Sequence, residues 1–209
     1  PARFQETAKR LVALYRQHAN DIVDLSVEDA VVKSFMDAEA YALSTYQTAS
    51  RLMNGGSIGS ELCRQILRFA PKSLHMVERS ENALFEIDRE LRQAGVHDVT
   101  LIPEIGDITD AVRTREIIKR ARPAVIFHAA AHKHVPMMEA NPSEAIKNNL
   151  GGTINLVNIA GELEVPNFVM ISTDKAVNPT SIMGATKRSA ELYIQSTRKV
   201  FASTKFASV

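Results

Sequence analysis

From Gly55 onward, the sequence alternates between short apolar segments and longer amphipathic ones. Five apolar segments have the length of buried strands: Leu74–Val77, Val99–Ile102, Ala124–Phe127, Phe168–Ile171 and Lys205–Val209. Between them, apolar residues recur at helical spacing, as in Leu84, Ile87 and Leu91. Short buried strands that alternate with helices are typical of a parallel sheet covered by helices on both faces. The pattern therefore predicts a doubly wound α/β fold, in which ligands bind at the carboxyl ends of the strands.

Residues 1–53 have a different pattern, because they contain no apolar segment that reads as a strand. Phe4, Leu11 and Tyr15 lie at helical spacing, and no motif in this region carries recognisable chemistry. We therefore predict an all-helical N-terminal extension over residues 1–53 that serves in packing or oligomerisation. The α/β domain is predicted over residues 54–209.

Composition excludes several classes of protein. The formal net charge is +1 and basic residues are spread along the chain, so no nucleic acid partner is expected. No apolar run approaches the roughly 20 residues needed to cross a bilayer, so no membrane span is predicted in this chain. The lone Cys63 cannot form an internal disulfide, which favours a cytoplasmic protein. Since the chain begins at Pro1 and stops in a predicted strand, we expect it to be a piece of a longer protein.

A glycine-rich loop precedes the first helix of the α/β domain. It consists of Gly55, Gly56, Ser57, Ile58 and Gly59. Such glycines let the backbone approach a pyrophosphate, which the free amides of a helix N-terminus then bind. The loop lacks the first glycine of G-x-x-G-x-x-G, because Met53 takes that position, and no apolar strand precedes it. Either residues are missing between Met53 and Asn54, which we favour, or the loop has diverged and lost cofactor affinity. A purely structural glycine turn is the alternative to both.

Residues at the ends of the next two predicted strands suit the adenosine half of a dinucleotide. Glu78 follows the glycines by about twenty residues, where a carboxylate accepts a hydrogen bond from the ribose hydroxyl. Glu78 would repel the extra phosphate of NADP, whereas Arg79 would attract it, so the choice between NAD and NADP stays open. Asp107 and Ile108 are candidates to flank the adenine, or else form a turn and a helix cap. A solvated charge pair is the alternative for Glu78 and Arg79.

The fourth group of candidates lies after the strand that ends near Phe127. Ala129, Ala130 and Ala131 leave room for a cofactor to lie against the backbone. The histidines of this segment lack the carboxylate or cysteine company and the helical spacing of a zinc site, so no metal is predicted. The candidates for contact with substrate here and downstream are Lys133, His134, Asn148 and Asn178. Either Asn148 or its neighbour Asn149 can hold a water or a backbone group, or cap a helix.

The strongest chemical signal is the segment Thr173-Asp174-Lys175, which follows an apolar strand with three groups that hold or move a proton. A second lysine, Lys187, follows on a predicted helix. Met183 lies four residues before Lys187, where a tyrosine would be expected in an enzyme of this layout. A strand-end cap with a salt bridge is the structural alternative for the first three residues.

Taken together, these motifs carry a specific resemblance. The segments concerned are 55–62, 78–81, 128–136, 172–180 and 183–188, in this order. They resemble the UDP-N-acetylglucosamine 4,6-dehydratases of bacterial polysaccharide biosynthesis, a branch of the extended short-chain dehydrogenases. The resemblance covers residues 55–209 and implies a Rossmann-like fold, NAD or NADP as cofactor and a UDP-sugar as substrate. It also implies that the C-terminal substrate-binding part lies outside this chain, so we expect the 209-residue polypeptide alone to be inactive.

The resemblance also implies a role for each candidate catalytic residue. Lys175 is the base for the C5 proton, which requires that burial or a nearby charge such as Lys187 lowers its pKa. Asp174 is the acid for the departing C6 oxygen, which requires a raised pKa. Thr173 bonds the C4 oxygen and Lys187 holds the nicotinamide ribose. Met183 cannot exchange a proton and is expected to shape the pocket.

Two other functions stay open at this point. A nucleotide-sugar epimerase or reductase of the same fold would usually use a tyrosine base at position 183, so Met183 counts against it. A non-catalytic dinucleotide-binding module is favoured by Met53, Met183 and the absent first strand, whereas the intact Asp174-Lys175 pair opposes it. By analogy with the fold, we also expect a homo-oligomer.

Overall fold

The computed structural model describes residues 58–95 and 98–209. The chain divides into two compact units, Pro1–Lys72 and Ser73–Val209. The predicted helical extension over residues 1–53 lies outside the described residues, as do Gly55, Gly56 and Ser57.

The described part of the first unit is the helix that follows the glycine loop. This helix, α1, spans Ile58–Leu67, and so begins where the loop was expected to open a helix. Glu61 accepts hydrogen bonds from Arg64 and Gln65 along one face, at 2.9 and 2.7 Å. Burial raises the pKa of the Cys63 thiol to about 11, which makes it an unreactive apolar group at neutral pH.

The second unit alternates strands and helices as predicted. Its strands are β1 Ser73–Glu78, β2 Thr100–Ile105, β3 Val125–His128, β4 Asn167–Met170 and β5 Lys205–Ser208. Its α-helices are α2 Glu81–Gln93, α3 Ala111–Ala121, α4 Val135–Ala140, α5 Pro142–Ala145, α6 Thr153–Glu162 and α7 Ile182–Thr197. A π-helical segment, Ile146–Gly152, joins α5 to α6, and a single 3₁₀ turn, Asp174–Ala176, follows β4.

All pairs of neighbouring strands are parallel, but the described strands form two sheets. β1 pairs with β2, whereas β4 lies between β3 and β5. In the doubly wound order 3-2-1-4-5-6, the first strand joins the two halves of the sheet. The two sheets correspond to those halves, and no described strand joins them. This agrees with the apolar strand that the sequence lacks before the glycine loop.

The main core lies between the three-stranded sheet and the helices α3, α6 and α7. Phe168 of β4 is fully buried, and its ring lies 5.5 Å from that of Phe206 and 6.1 Å from that of His128. Burying one such side chain contributes roughly 1.5–3 kcal/mol. The core holds α7 against the carboxyl end of β4, which is where the candidate site lies.

A buried carboxylate joins β1, β2 and α3. Glu104 of β2 is 5% exposed, and its oxygens meet the His75 ring at 3.1 Å, the Arg113 guanidinium at 3.7 Å and the Arg120 guanidinium. A buried carboxylate is tolerated only when it is paired and hydrogen-bonded in this way. This cluster fixes α3 on the sheet away from the candidate site.

Among the residues that the structure describes, no helix is long and apolar enough to span a membrane.

Candidate functional site

The carboxyl end of β4 leads directly into the predicted catalytic segment. The Thr173 side chain caps the 3₁₀ turn by accepting the Lys175 amide at 3.4 Å, and its hydroxyl donates to Asp174 Oδ1 at 3.0 Å. Lys175 Nζ lies 3.3 Å from the same oxygen, so the three residues form one cluster. The side chains of Lys175 and Asp174 are 53% and 70% exposed. The cluster is therefore assembled at the strand end, but it is open to solvent.

The pKa of Asp174 is lowered, which is the opposite of what its predicted role as an acid requires. Hydrogen bonds from Thr173 and then from Lys175 stabilise the carboxylate, and their effect exceeds that of the slight burial. The expected raised pKa is therefore wrong for this arrangement, because the carboxyl group has two close donors and no dry pocket. The role of Asp174 as the acid stays a prediction.

The buried amine of the site is Lys187. Its side chain lies on the inner face of α7, where the residue is 4% exposed, and its Nζ donates to the Ile171 carbonyl at 2.8 Å. Burial lowers the pKa of Lys187 to about 8, while the charge of Glu191 acts in the opposite direction. The role of base predicted for Lys175 requires burial or a nearby positive charge, whereas the amine that is buried here is Lys187. The helical spacing of Met183, Lys187 and Ile194 on one face of α7 is the signal that could have placed the buried amine here.

His128, at the end of β3, is a neutral neighbour of this amine. Burial, and then the charge of Lys187, lower its pKa to about 3. Its Nε2 lies 2.8 Å from Thr153 Oγ1, whose hydroxyl donates to the Asn149 carbonyl at 2.6 Å. Because that hydroxyl proton is committed to Asn149, His128 Nε2 must carry the proton that Thr153 accepts. Thr153 was not singled out from the sequence. The signal that could have identified it is a polar residue among the apolar residues of α6.

Asn149 connects the loop after β3 to helix α7. It is 1% exposed, its Oδ1 accepts the His132 amide at 2.7 Å, and its Nδ2 donates to the His132 carbonyl at 3.0 Å. The same amide donates to Thr186 Oγ1 at 3.2 Å. Asn149 thus holds a backbone group beside the site, one of the two uses considered for Asn148 and Asn149. Asn148, the residue predicted to contact substrate, is buried at 6% exposure.

Met183 packs into a small apolar cluster in the second unit. It is 3% exposed and lies with Met138 and Ala145, against Val135 of α4. Its neighbour Gly184 allows α7 to approach the turn after β4 closely, because a Cβ there would overlap the Lys175 carbonyl oxygen. The first turn of α7 therefore packs directly on the backbone of the turn after β4.

The remaining substrate candidates lie in exposed loops of the second unit. Lys133 and His134 are exposed between β3 and α4, where the Asn149 contacts fix the preceding residue. Asn178 is exposed and has a left-handed backbone with φ 50°, between the 3₁₀ turn and α7. Ala129 and Ala131 are half-buried, whereas Ala130 is exposed.

The predicted adenosine-binding residues lie at the carboxyl ends of β1 and β2. Glu78 accepts the Ser80 amide at 2.9 Å, and the Arg79 guanidinium lies 3.8 Å from Asp107 Oδ2. Asp107 Oδ1 accepts both the amide and the hydroxyl of Thr109 at 2.8 Å. Burial acts to raise the pKa of Asp107, but the Thr109 bonds and the nearby cations lower it overall. Asp107 therefore forms the turn that was its structural alternative.

Ile108 follows Asp107 in the turn between β2 and α3, and its half-buried side chain packs against the core. Its side chain occupies the space where a Cβ on Gly152 would lie, at 2.6 Å. Asn155 of α6 donates to the Ile108 carbonyl at 3.3 Å. The end of β2 is therefore fixed to the helix that follows the π-helical segment.

Comparison with known proteins agrees with this layout. The family described as "Polysaccharide biosynthesis protein" matches residues 53–209. The chain is 42% identical over 193 residues to the capsular polysaccharide biosynthesis protein CapD of Staphylococcus aureus, covering 91% of this chain and 32% of that protein. It is 33% identical over 138 residues to a UDP-N-acetylglucosamine 4,6-dehydratase (inverting) of Campylobacter jejuni, covering 65% of this chain and 39% of that protein.

Solved structures show the same fold. A double mutant of DesIV, a dTDP-glucose 4,6-dehydratase from Streptomyces venezuelae, crystallised with NAD and DAU bound, superposes with a TM-score of 0.58 at 21% sequence identity. The match covers 72% of this chain and 52% of that chain. The chain spans about a third of the length of CapD, at 32%.

Proposed function

The chain belongs to the polysaccharide biosynthesis protein family, and we propose that it is the cofactor-binding part of a UDP-N-acetylglucosamine 4,6-dehydratase. The observation that carries the proposal is the hydrogen-bonded cluster of Thr173, Asp174 and Lys175, held at the carboxyl end of β4 against the helix that bears Lys187. Met183 in place of a tyrosine supports dehydration over epimerisation, since a thioether exchanges no proton. The likeness to a dehydratase of Campylobacter jejuni supports the substrate class.

We propose NAD or NADP as the cofactor, because the donor set of the second unit fits such a dinucleotide. Glu78 and Arg79 end β1 with a carboxylate for a ribose diol and a guanidinium for phosphate. Ala129 and Ala131 present small, half-buried side chains after β3, and Lys187 offers a buried ammonium after β4. The role of Gly55–Gly59 at the pyrophosphate stays a prediction.

When bound, the nicotinamide would accept hydride from sugar C4 and later return it to C6. Thr173 would hydrogen-bond to the C4 oxygen, whose hydroxyl proton would leave to solvent through the Thr173 hydroxyl as the hydride departs, and Lys187 would hold the nicotinamide ribose. Oxidation at C4 acidifies the C5 proton, which Lys175 would remove as a neutral amine. Asp174 would protonate the C6 hydroxyl as it leaves as water, and Lys175 would then return a proton to C5 as hydride adds to C6.

The ion pair in the structure contains the proton that this chemistry needs. Lys175 Nζ and Asp174 Oδ1 lie 3.3 Å apart, so one proton can pass between them. In water the charged form is favoured, whereas a sugar that covers the turn would exclude water and favour the neutral amine and neutral acid. In the neutral pair, Lys175 is the base and Asp174 is the acid. Once Lys175 has taken the C5 proton and Asp174 has given its proton to the C6 oxygen, the pair is charged again.

A product assay tests the proposal. The full-length protein, incubated with NAD and UDP-N-acetylglucosamine, should yield a UDP-sugar that has lost one water and gained a carbonyl. Epimerisation would change neither mass nor carbonyl content. Binding of NAD without any change in the sugar would favour the non-catalytic module and contradict the proposal.

A further inference from the structure

A carboxylate on α7 contacts the chain just before the catalytic turn. Glu191 is 14% exposed, and its Oε1 accepts the Ser172 hydroxyl at 2.5 Å. Its second oxygen accepts Arg188 NH1 at 2.8 Å. Ser172 directly precedes Thr173, so Glu191 holds the entry to the turn that carries Asp174 and Lys175.

Three successive turns of α7 contact this one segment. Gly184 packs on the Lys175 carbonyl, Lys187 Nζ donates to the Ile171 carbonyl, and Glu191 accepts from Ser172. The contact at Ser172 is the one that joins two side chains. This contact involves neither Lys187 nor the side chains of the exposed cluster. It holds Ser172, which lies in the chain between the Ile171 carbonyl that binds Lys187 and the cluster that begins at Thr173.

The exposed turn needs such an anchor. Its own hydrogen bonds, Ala176 N to the Thr173 carbonyl and Val177 N to the Asp174 carbonyl, are both 3.1 Å long and local. Just before the turn, the Ser172 amide donates to the Val209 carbonyl, so the backbone of Ser172 is held from the end of β5 and its side chain is held by Glu191. A displacement of about 1 Å at a reacting group can reduce a rate about a hundredfold.

We propose that Glu191 is a positioning residue, which fixes the Thr173–Lys175 turn relative to α7 through its hydrogen bond to the Ser172 hydroxyl. The consequence for catalysis rests on the proposed function, whereas the anchoring of the turn does not. Loss of either partner should lower kcat. Loss of the Ser172 hydroxyl should leave cofactor affinity unchanged, because Ser172 is outside the predicted cofactor-binding set, whereas loss of Glu191 also removes the negative charge that raises the pKa of Lys187.

Hydrogen exchange tests the anchor without any substrate. In the full-length protein, Glu191→Ala and Ser172→Ala should each speed exchange of the Ala176 and Val177 amides about tenfold. The double variant should be no faster than either single one, because both remove the same bond. Glu191→Gln keeps an acceptor oxygen and should stay near the wild-type rate. Rates that add in the double variant, or a wild-type rate in Glu191→Ala, would overturn the proposal.

Kinetics with UDP-N-acetylglucosamine test the catalytic consequence. We expect kcat to fall 10- to 100-fold in Glu191→Ala, Ser172→Ala and the double variant alike. The Kd for NAD should stay within twofold in Ser172→Ala, which leaves the charge of Glu191 beside Lys187 in place. Glu162→Ala, which removes a 47% exposed carboxylate on α6, is the matched control and should keep the wild-type kcat. Wild-type kcat in Glu191→Ala, or a fall in the NAD affinity of Ser172→Ala equal to its fall in kcat, contradicts the positioning role. An inactive wild type would instead reject the proposed function, and hydrogen exchange would still decide the anchor.

Discussion

The turn after β4 and the inner face of α7 lie side by side, yet their environments are opposite. Lys175 in the turn is 53% exposed, whereas Lys187 on the helix is 4% exposed and its pKa is lowered to about 8. Asp174 in the turn is 70% exposed. One region is therefore already desolvated in the free protein, whereas the other has the right groups in water.

The two environments suit two different roles, one that holds a ligand in place and one that reacts with it. A buried ammonium bonded to a carbonyl is fixed in one position, which suits a residue that holds a ligand. An exposed ion pair gains its reactive, neutral form only when something covers it. We therefore expect the chemistry of the turn to depend on bound sugar, and the contribution of α7 to depend on the fold alone.

The largest expected effect separates the two lysines by function. Lys175→Ala should lower turnover by about a thousandfold, because general-base catalysis contributes 10²–10⁴ in rate. The Kd for NAD should stay within twofold, since the Lys175 side chain lies outside the predicted cofactor-binding set. Lys187→Ala should instead weaken NAD binding. Steady-state kinetics with isothermal titration calorimetry measure both. If NAD affinity falls equally in the two variants, the separation is wrong.

The next effect concerns stability and its pH dependence. The pKa of Lys187 is about 8 in the fold against an ordinary 10.5, so between these values the unfolded chain binds the additional proton. Stability therefore rises with pH across this window, by about 3 kcal/mol from this group. Lys187→Met should remove that rise. Urea unfolding at pH 7.5 and 10.5 gives the free energy of unfolding of the chain and of the variant at each pH. The same change with pH in both proteins would contradict the lowered pKa of Lys187.

A methyl group at the junction of the two regions should disturb both. Gly184→Ala forces a Cβ against the Lys175 carbonyl oxygen and should cost about 1–3 kcal/mol of stability. Gly151→Ala is the matched control, because its Cβ would meet its nearest atom at an ordinary 3.7 Å. Thermal unfolding compares them. Equal melting temperatures would mean that α7 does not pack on the turn as described.

The smallest effect comes from the same substitution in each region. Thr186→Val removes a buried hydroxyl that accepts from Asn149 and donates to the Met183 carbonyl, and should cost about 1 kcal/mol of stability. Thr173→Val removes an exposed hydroxyl and should cost less stability but lower turnover about tenfold. Unfolding curves and kcat together check the pair. A larger loss of stability in Thr173→Val, or a larger loss of turnover in Thr186→Val, would contradict the distinction between the two regions.

The fold was largely predictable because the spacing of apolar residues and the length of each apolar segment distinguish strands from helices. The predicted strand Leu74–Val77 appears as Ser73–Glu78, and Phe168–Ile171 as Asn167–Met170. Strand ends shift by a residue or more because a terminal hydrogen bond, rather than hydropathy, decides them. No described strand joins the two sheets, in agreement with the apolar segment that the sequence lacks before Gly55.

The proximity of the three candidate catalytic residues was predictable from the sequence, but their environment was not. Thr173, Asp174 and Lys175 form a cluster because they follow one another along the chain. Their exposure could not be read from the sequence, since it depends on which elements cover the end of β4. The Glu191–Ser172 contact joins positions 19 residues apart, and only the packing of α7 reveals it.

The most direct test of the account is proton NMR of UDP-N-acetylglucosamine incubated in deuterated water with the full-length protein and NAD. The account predicts a new C6 methyl signal and deuterium at C5, both absent with Lys175→Ala. A methyl signal with hydrogen retained at C5, or one that persists in Lys175→Ala, would contradict the assignment of Lys175 as the base. No methyl signal with wild-type protein that binds NAD would contradict the proposed dehydration itself.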